Sequence, residues 1–464
     1  MSAKKKIGPL DIYALLPKTN CGKCEPGVCM AFAARLAEHT ISLEECPPLW
    51  EKGQEANLKK LQEMLKPPVK EVKIGEVKVG GQLVVRRHEY RYFNPVPLAV
   101  TLDDTLPEVD LLKRIKKVEE YGYSYIGKTL KLDMLAPRYV SGDPSKFEAT
   151  VKKASLSKLP LVLWCTDPGV MEKAVALVKE RRPLLYAATR ENWKEMAELA
   201  LKYGCPLALY SPHDLKGLKS LAKTMLAYGV QDLLLDPGVG FGEELRETIN
   251  CFTVLRNTAI RGGDEEVGFP LVASTARVWE DGGRKPEELA WEETALATLL
   301  MVRYADLIIL RSEEVWSWLP LIILRENIYT DPRKPVSVEA GMRAIGQVNE
   351  NSPVMVTSNF ALTYFTVASD IENSKVPSYL IVVDTGGLSV ESSIAGRKMT
   401  AQTIADAIKA SGVKDKVKHR KVILPGMAAR YKGELEELLG FEWEVLVGPR
   451  DSSGIPKFLA DHWK

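Results

Sequence analysis

The chain has 464 residues, 45% of them hydrophobic, and its 63 Lys and Arg against 61 Asp and Glu leave a formal charge of +2. At roughly 150 residues per domain this is a composite globular protein of about three domains, with enough apolar material for real cores. A charge so near balance excludes a global field that would gather nucleic acid or anionic lipid, and it points to small molecules and proteins as partners.

The start, MSAKKKIGP, is basic but no apolar run follows it, so it predicts no secretory signal and a cytoplasmic location. Residues 20–32 read NCGKCEPGVCMAF, and with Cys46 they complete a C-x2-C-x4-C-x16-C pattern of Cys21, Cys24, Cys29 and Cys46. Four thiolates are the usual complement of a 4Fe-4S cube, and Gly22, Pro26 and Gly27 allow a tight loop around one. Cys29 then opens an amphipathic helix whose Phe32 and Leu36 can shield the site. A structural zinc site is the alternative, although zinc ribbons usually pair two C-x2-C knuckles. A charged helical stretch, WEKGQEANLKKLQEMLK, runs to the Pro67-Pro68 breaker, so residues 1–65 form a small cluster domain whose short core a metal centre would reinforce.

Residues 66–96 alternate charged and β-branched residues and read as a β linker with a hairpin turn at Gly80-Gly81. From 97 a strand-helix unit repeats, with strands expected at 97–103, 123–127, 159–165, 183–189, 206–211, 232–236, 270–275 and 306–310. Nearly continuous apolar strands imply burial on both faces, and eight such units over ~220 residues fit a closed (β/α)8 TIM barrel at 97–325. An open doubly wound sheet is the competing arrangement. Asp236 and Asp306 fall at strand ends, where catalytic groups often lie, and DPGVGFG at 236–242 reads equally as a phosphate loop or a tight turn. The longest apolar region, ALATLLMVRYADLIIL, is broken by Arg303 and Asp306, so no membrane span is predicted.

Residues 326–464 restart the pattern as a separate α/β domain with an open parallel sheet. Its strands are expected at 353–358, 378–385, 421–426 and 443–448, and its helices near 337–349, 359–369, 402–411 and 428–440. Ligands of such sheets bind beyond the carboxyl ends of the strands, here TSNFALTY, DTGGLSVESS, LPGMAA and VGPRDSSGI, which are rich in Gly and hydroxyl residues. Cys165, Cys205 and Cys251 read as buried structural thiols, and the five histidines, His39, His88, His213, His419 and His462, have no ligand spacing. No D-x-H-x-x-G motif is present, since Ser211 precedes His213 and Val417 precedes His419 by two residues.

The stretches LPKTNCGKCEPGVCMAFA, RPLLYAAT, IYTDP, VNENSPVMVTSNFALTYF, VPSYLIVVDTGGLSV and VGPRDSSGI run across the whole chain. Together they resemble one family, the large (gamma) subunit of the corrinoid iron-sulfur protein of the acetyl-CoA decarbonylase/synthase system. The resemblance implies a 4Fe-4S domain, a TIM barrel and a flavodoxin-like corrinoid-binding domain. It also implies a corrinoid methyl carrier that counts as part of a methyltransferase. In the family cobalt(I) accepts a methyl group from a methyltetrahydropterin, either tetrahydrosarcinapterin or tetrahydrofolate, and passes it to the nickel cluster of acetyl-CoA synthase. The iron-sulfur cluster returns oxidised cobalt(II) to service. Implied partners are a small (delta) subunit in a heterodimer, the acetyl-CoA synthase subunit, and the methyltetrahydropterin or its methyltransferase. The missing histidine motif agrees with a corrinoid held without a protein histidine ligand, since a donor ligand would make reduction to cobalt(I) harder.

Carried onto this sequence, the resemblance places the cluster on the four cysteines. It places the corrinoid against three loops: Thr357, Ser358, Asn359, Thr363 and Tyr364; Thr385, Gly386, Gly387, Leu388, Ser389, Val390 and Ser392; and Ser452, Ser453 and Gly454. Thr385, Ser389 and Ser392 are the candidates for a hydroxyl near the lower face of the cobalt. The barrel receives no catalytic residue. A ferredoxin-like electron-transfer protein with docking domains is the competing function, and an iron-sulfur enzyme acting on a phosphorylated or flavin ligand is the third.

Overall fold

The computed structural model describes residues 8–125, 128–280, 283–332 and 335–463, and the chain divides into two compact units. The first holds residues up to 121 together with 131–329, and the second holds 122–130 and 330–464.

In the first unit eight parallel strands form a barrel: Leu98–Asp103, Met134–Arg138, Val162–Trp164, Leu184–Ala188, Leu207–Tyr210, Leu233–Asp236, Val272–Ser274 and Leu307–Leu310. A parallel bridge between Leu235 and Leu271, with the Leu235 amide donating to the Pro270 carbonyl at 2.8 Å, brings the two ends of the sheet together. The second barrel strand differs from the sequence expectation. Residues 123–125 pair instead with Lys128–Leu130 as an antiparallel hairpin that belongs to the other unit, and residues 126–127 of that expected strand lie outside the described residues. The true strand, MLAPR, carries a proline and an arginine that disguise it, yet it is buried throughout because its neighbours on both sides supply the pairing.

The segment read as a linker plugs the barrel. Glu71–Ile74 and Val77–Gly80 form a hairpin whose turn falls at Gly75 and Glu76 rather than at Gly80-Gly81. Val72, Ile74 and Val79 pack into one core with the inward residues Ala99, Met134, Val162, Leu184, Val272 and Leu307. The contacts of Gly75 with the Arg182 carbonyl and of Lys70 with the Gly268 carbonyl lie just ahead of barrel strands, so the hairpin closes the amino-terminal end and leaves only the carboxyl end open. Gly80 is required at its place: its φ is +82°, and a Cβ there would stand 2.4 Å from the Lys70 carbonyl oxygen and 2.6 Å from Pro270. Gly80→Ala is expected to cost about 2–4 kcal/mol, read as a lowered urea midpoint; an unchanged midpoint would mean that the plug does not support the barrel.

Two buried carboxylates of the barrel are paired. Asp306 lies at the amino-terminal end of its strand, where its buried carboxylate bonds Arg256 and the Leu271 amide, a structural role. Glu293, on the helix Pro286–Val302, accepts from the amides of Arg311 at 2.7 Å and Ser312 at 2.8 Å. Burial pushes its carboxyl up to about 7 against the pull of those amides, Trp279 and Arg114. An unfolded glutamate titrates near ~4.3, so between there and about 7 the folded chain keeps a proton that the unfolded chain has lost. The Glu293 contribution to stability is therefore full below the unfolded value and is lost as pH rises through about 7. The stability difference between the parent chain and Glu293→Gln is expected to shrink across that window and to stay flat above it, measured by urea unfolding at a series of pH values.

In the second unit the sheet order is Gly341–Ile345, Ser378–Val383, Val354–Ser358, Lys421–Leu424 and Glu444–Val447. The last four strands are parallel, and in chain order they run 2-1-3-4, the doubly wound arrangement. The helix expected near 337–349 is instead an antiparallel edge strand, with Gly341 opposite Val382 and Ile345 opposite Ser378, so the sheet is mixed rather than purely parallel. The neighbouring strand offers that short segment backbone partners, which decides its state over its own periodicity. Alternate residues separate onto two cores. Val354, Val356, Ile381 and Val383 pack with Ile404, Ile408 and Leu435 on one face. Met355, Leu380 and Val382 pack with Ile371, Ile455 and Leu459 on the other. Among the described residues no helix is long and apolar enough to cross a membrane.

Candidate cofactor sites

The four-cysteine loop folds back by local chemistry. Gly22 at φ +69° and Gly27 at φ +71° supply the left-handed bends, the Gly27 amide closes a turn on the Cys24 carbonyl at 2.9 Å, and the Asn20 side chain accepts from the Cys29 amide at 2.9 Å. Cys29 begins the helix Cys29–Ala37, and with Cys46 it is buried in a small core of Ile12, Leu16, Phe32 and Leu49; Cys24 is half-buried and Cys21 exposed. The Lys23 amide and the Thr19 hydroxyl hold the Cys21 thiol below its ordinary range. Burial pushes the Cys46 thiol up, offset by the Leu49 amide, and the charges of Cys24, Cys29 and Cys21 add to the rise. The four sulfurs therefore act on one another, and bound iron would invert that repulsion into attraction. Among the described residues no three His, Cys, Asp or Glu side chains form a ready-made site for a metal ion. The donor set of four thiols on a glycine-bent loop fits an iron-sulfur cluster. Cys165, Cys205 and Cys251 are buried elsewhere, each pushed up to about 11 by burial.

The second site is a pocket of about 360 Å³ in the carboxy-terminal unit. It lies at the carboxyl ends of Val354–Ser358, Lys421–Leu424 and Glu444–Val447, where the chain switches sides of the sheet. Of the residues expected from the sequence, it brings together Thr357, Thr363, Ser389, Val390 and Ser452. The Thr357 hydroxyl is buried with no protein partner, as is that of neighbouring Ser358. Leu362, Met427, Arg450 and Asp451 on the lining fall within the strand-end loops expected from the sequence but were not singled out there, and Thr366 lies beyond those loops. The loops there interlock, with the Gly426 amide on the Pro449 carbonyl at 2.9 Å and no room for a Cβ on Gly426.

Several expected contacts have other duties. Asn359 Oδ1 accepts from the Thr385 amide at 3.0 Å, the Thr385 hydroxyl at 2.8 Å and the Gly387 amide at 2.9 Å, while its Nδ2 donates to Asp384 at 3.0 Å. Asn359 thus braces the 384–388 loop, which bends through Gly386 at φ +67° and Gly387 at φ +79°. The single proton of the Thr385 hydroxyl serves Asn359 or the Leu388 carbonyl, each at 2.8 Å. Ser389 caps the helix Val390–Ala395 while lining the pocket; Ser392 is exposed and off the lining. Tyr364 packs against Phe365 and the core, and the Ser453 hydroxyl bonds Asp451. A Cβ on Gly454 would meet Pro449 at 2.7 Å. No histidine lines the pocket. His419 uses both ring nitrogens, one on the Ser352 carbonyl and one on the Lys421 amide.

A four-cysteine loop, a parallel barrel and a doubly wound domain with a pocket at its switch point define a multidomain α/β protein with cofactor sites. The family model for the CO dehydrogenase/acetyl-CoA synthase delta subunit matches residues 71–459, and one for an Fe-S cluster matches residues 16–48, which include all four cysteines. Acetyl-CoA decarbonylase/synthase complex subunit gamma of Methanothermobacter thermautotrophicus is 43% identical over 458 residues, covering 98% of each chain. Subunit gamma 2 of Methanosarcina thermophila is 42% identical over 463 residues with the same coverage. The chain belongs to the family of acetyl-CoA decarbonylase/synthase gamma subunits. Dihydropteroate synthase of Thermus thermophilus aligns along its full length with 52% of this chain, at 18% identity and a TM-score of 0.39; the barrel assignment rests on the strand order above.

Proposed function

We propose that the chain is the corrinoid iron-sulfur methyl carrier of an acetyl-CoA decarbonylase/synthase complex, working with a small (delta) subunit and an acetyl-CoA synthase subunit and receiving its methyl group from a methyltetrahydropterin. The observation that carries this reading is the switch-point pocket with its braced glycine loop and its orphaned Thr357 hydroxyl. A cobamide exceeds a drug-sized ligand, for which pockets run roughly 300–1,000 Å³, so a space of about 360 Å³ takes one portion of it. The rest lies over the open loops and against a partner. A bound corrinoid would supply a nucleophilic cobalt centre for methyl transfer.

The residues of this chain bind and orient. Thr357 and Thr363 offer hydroxyls to amide or phosphate groups, Leu362, Met427 and Ile455 exclude water, and Gly386, with nothing within 4 Å of a Cβ there, leaves the backbone open to a flat ring, while Gly387 is taken up by its approach to Pro335. Cys21, Cys24, Cys29 and Cys46 would hold a 4Fe-4S cluster, whose place in the carrier is to restore an over-oxidised cobalt.

Anaerobic co-purification with the partner subunit tests the reading. Corrin absorption bands and a cobalt(II) resonance alongside iron-sulfur features are the expected result. Iron-sulfur features alone would replace the carrier by an electron-transfer protein, and colourless, zinc-containing material would overturn both.

A further inference from the structure

Near the closed, amino-terminal end of the barrel lies a small cavity of about 10 Å³, within the first unit and outside both sites described above. Separate stretches of chain supply its walls. Gln82 and Tyr92 come from the segment after the plug hairpin, Arg256 from the helix Leu245–Ile260, Tyr304 and Asp306 from the turn ahead of the last barrel strand, and Tyr329 from the end of the helix Val315–Ile328.

Donors and acceptors do not balance there. Arg256 is 2% exposed; its Nη2 donates to Asp306 and, at 2.7 Å, to the Tyr304 carbonyl, but its Nε and Nη1 have no acceptor in the protein. Gln82 is 3% exposed; its Oε1 accepts from the Phe93 amide at 3.3 Å, and its Nε2 also lacks an acceptor. Turning the Gln82 amide over would set Nε2 against the Phe93 N–H, donor against donor, so that bond fixes its orientation. The other polar groups are spent: Asp306 Oδ2 takes Arg256 and the Leu271 amide, and the Tyr92 hydroxyl donates to the Val85 carbonyl at 3.0 Å. Three buried nitrogens on two side chains are thus left to donate, and none of them can receive the others. Donors buried without acceptors cost stability. A guest that satisfies them must be an acceptor.

Size and charge settle which acceptor. A cavity needs roughly 10–15 Å³ to take one water, so this one admits a single guest of that size. The Arg256 charge is already matched by Asp306, and an added anion would stand buried without a counter-charge. Water is neutral, fits, and has two lone pairs, one for each side chain.

We propose that one water molecule is a built-in part of this cavity, accepting from Arg256 and Gln82 and so joining the segment after the plug to the barrel wall.

The test uses the full chain in its complex with cofactors bound, crystallised from medium containing sodium bromide. A single peak without anomalous signal, within hydrogen-bond reach of both Arg256 and Gln82, is the expected result. A bromine anomalous peak at the site, or no peak there, overturns the proposal. In solution, magnetic relaxation dispersion of solvent oxygen counts long-lived internal waters. Arg256→Lys keeps the charge that faces Asp306, but its one nitrogen is claimed by that carboxylate and the Tyr304 carbonyl, so the count is expected to fall by one. An unchanged count in the folded variant overturns the proposal; if the variant fails to fold, the bromide crystal carries the test.

Discussion

Cys46→Ala is expected to remove the iron-sulfur chromophore from the reconstituted chain and to loosen the segment that carries it. Cys46 is 5% exposed and belongs, with Cys29, to a core whose other buried members are Ile12, Leu16, Phe32, Ala33, Leu36, Leu43, Leu49 and Leu61, with Tyr13, Leu15, Ile41, Leu58 and Met64 among the partly buried side chains around them. This is a small core, and a metal centre bound only by the folded form contributes on the order of 10 kcal/mol in small metal-dependent domains. Loss of one of four thiolates removes a ligand and the repulsion that metal would otherwise convert to binding. Iron analysis and limited proteolysis near residues 40–60 give the readout. Cys205→Ala is the control, because burial holds that thiol near about 11 and it lies outside the cluster segment. Full iron content in Cys46→Ala would show that another residue completes the site.

The second large effect is expected at Asn359, which the sequence marked as a ligand contact and which the structure uses as a brace. Asn359→Ala leaves the Thr385 amide, the Thr385 hydroxyl and the Gly387 amide without their shared acceptor. The Thr385 hydroxyl can turn to the Leu388 carbonyl, so the losses are the two amide bonds and the Nδ2 bond to Asp384; at about 1 kcal/mol per hydrogen bond these predict roughly a hundredfold drop in corrinoid retention, with little change in global unfolding because the loop lies beyond the strand ends. Asn359→Asp keeps the acceptor but sets a carboxylate where Nδ2 now donates to Asp384, so it should fall between the alanine variant and the parent chain. Equilibrium binding of a cobamide to the three proteins in the presence of the partner subunit measures this. Equal retention by all three would mean that the 384–388 loop does not face the corrinoid.

The parts of the fold that could be read from the sequence are those with strong periodicity. Seven of the eight barrel strands are continuous apolar runs and lie where the pattern puts them, while MLAPR at Met134–Arg138 was hidden by Pro137 and Arg138. Arg138 is polar there because it reaches the open mouth, a demand that no strand propensity encodes. The hairpin turn was misplaced because two adjacent glycines imitate one. Gly80 serves a close approach to Pro270 and Gly81 one to the Asn94 side chain, whereas the turn uses Gly75 and Glu76. For the carboxy-terminal site, residue type and loop position found the region, since hydroxyls and glycines after parallel strands are a local signal. They could not tell a lining residue from a supporting one. Thr357 and Asn359 are two positions apart and equally polar, yet one faces the pocket and the other is spent on the loop.

The link between the cluster segment and the plug has a consequence for which substitutions it tolerates. The Tyr90 hydroxyl donates to the Glu38 carbonyl at 2.6 Å, and the Arg91 guanidinium donates to the His39 carbonyl at 3.4 Å. In these two bonds the strap supplies side chains and the cluster segment supplies main-chain oxygens just past the helix Cys29–Ala37, while the His39 ring also meets Phe93 edge to face at 5.5 Å. The acceptor of the Tyr90 bond therefore survives any change at 38 that preserves the helix end. A single change at 90 abolishes that bond and a change at 39 removes the ring contact with Phe93, so the hydrogen bonds of the latch are written on the strap alone while its packing is written on both sides.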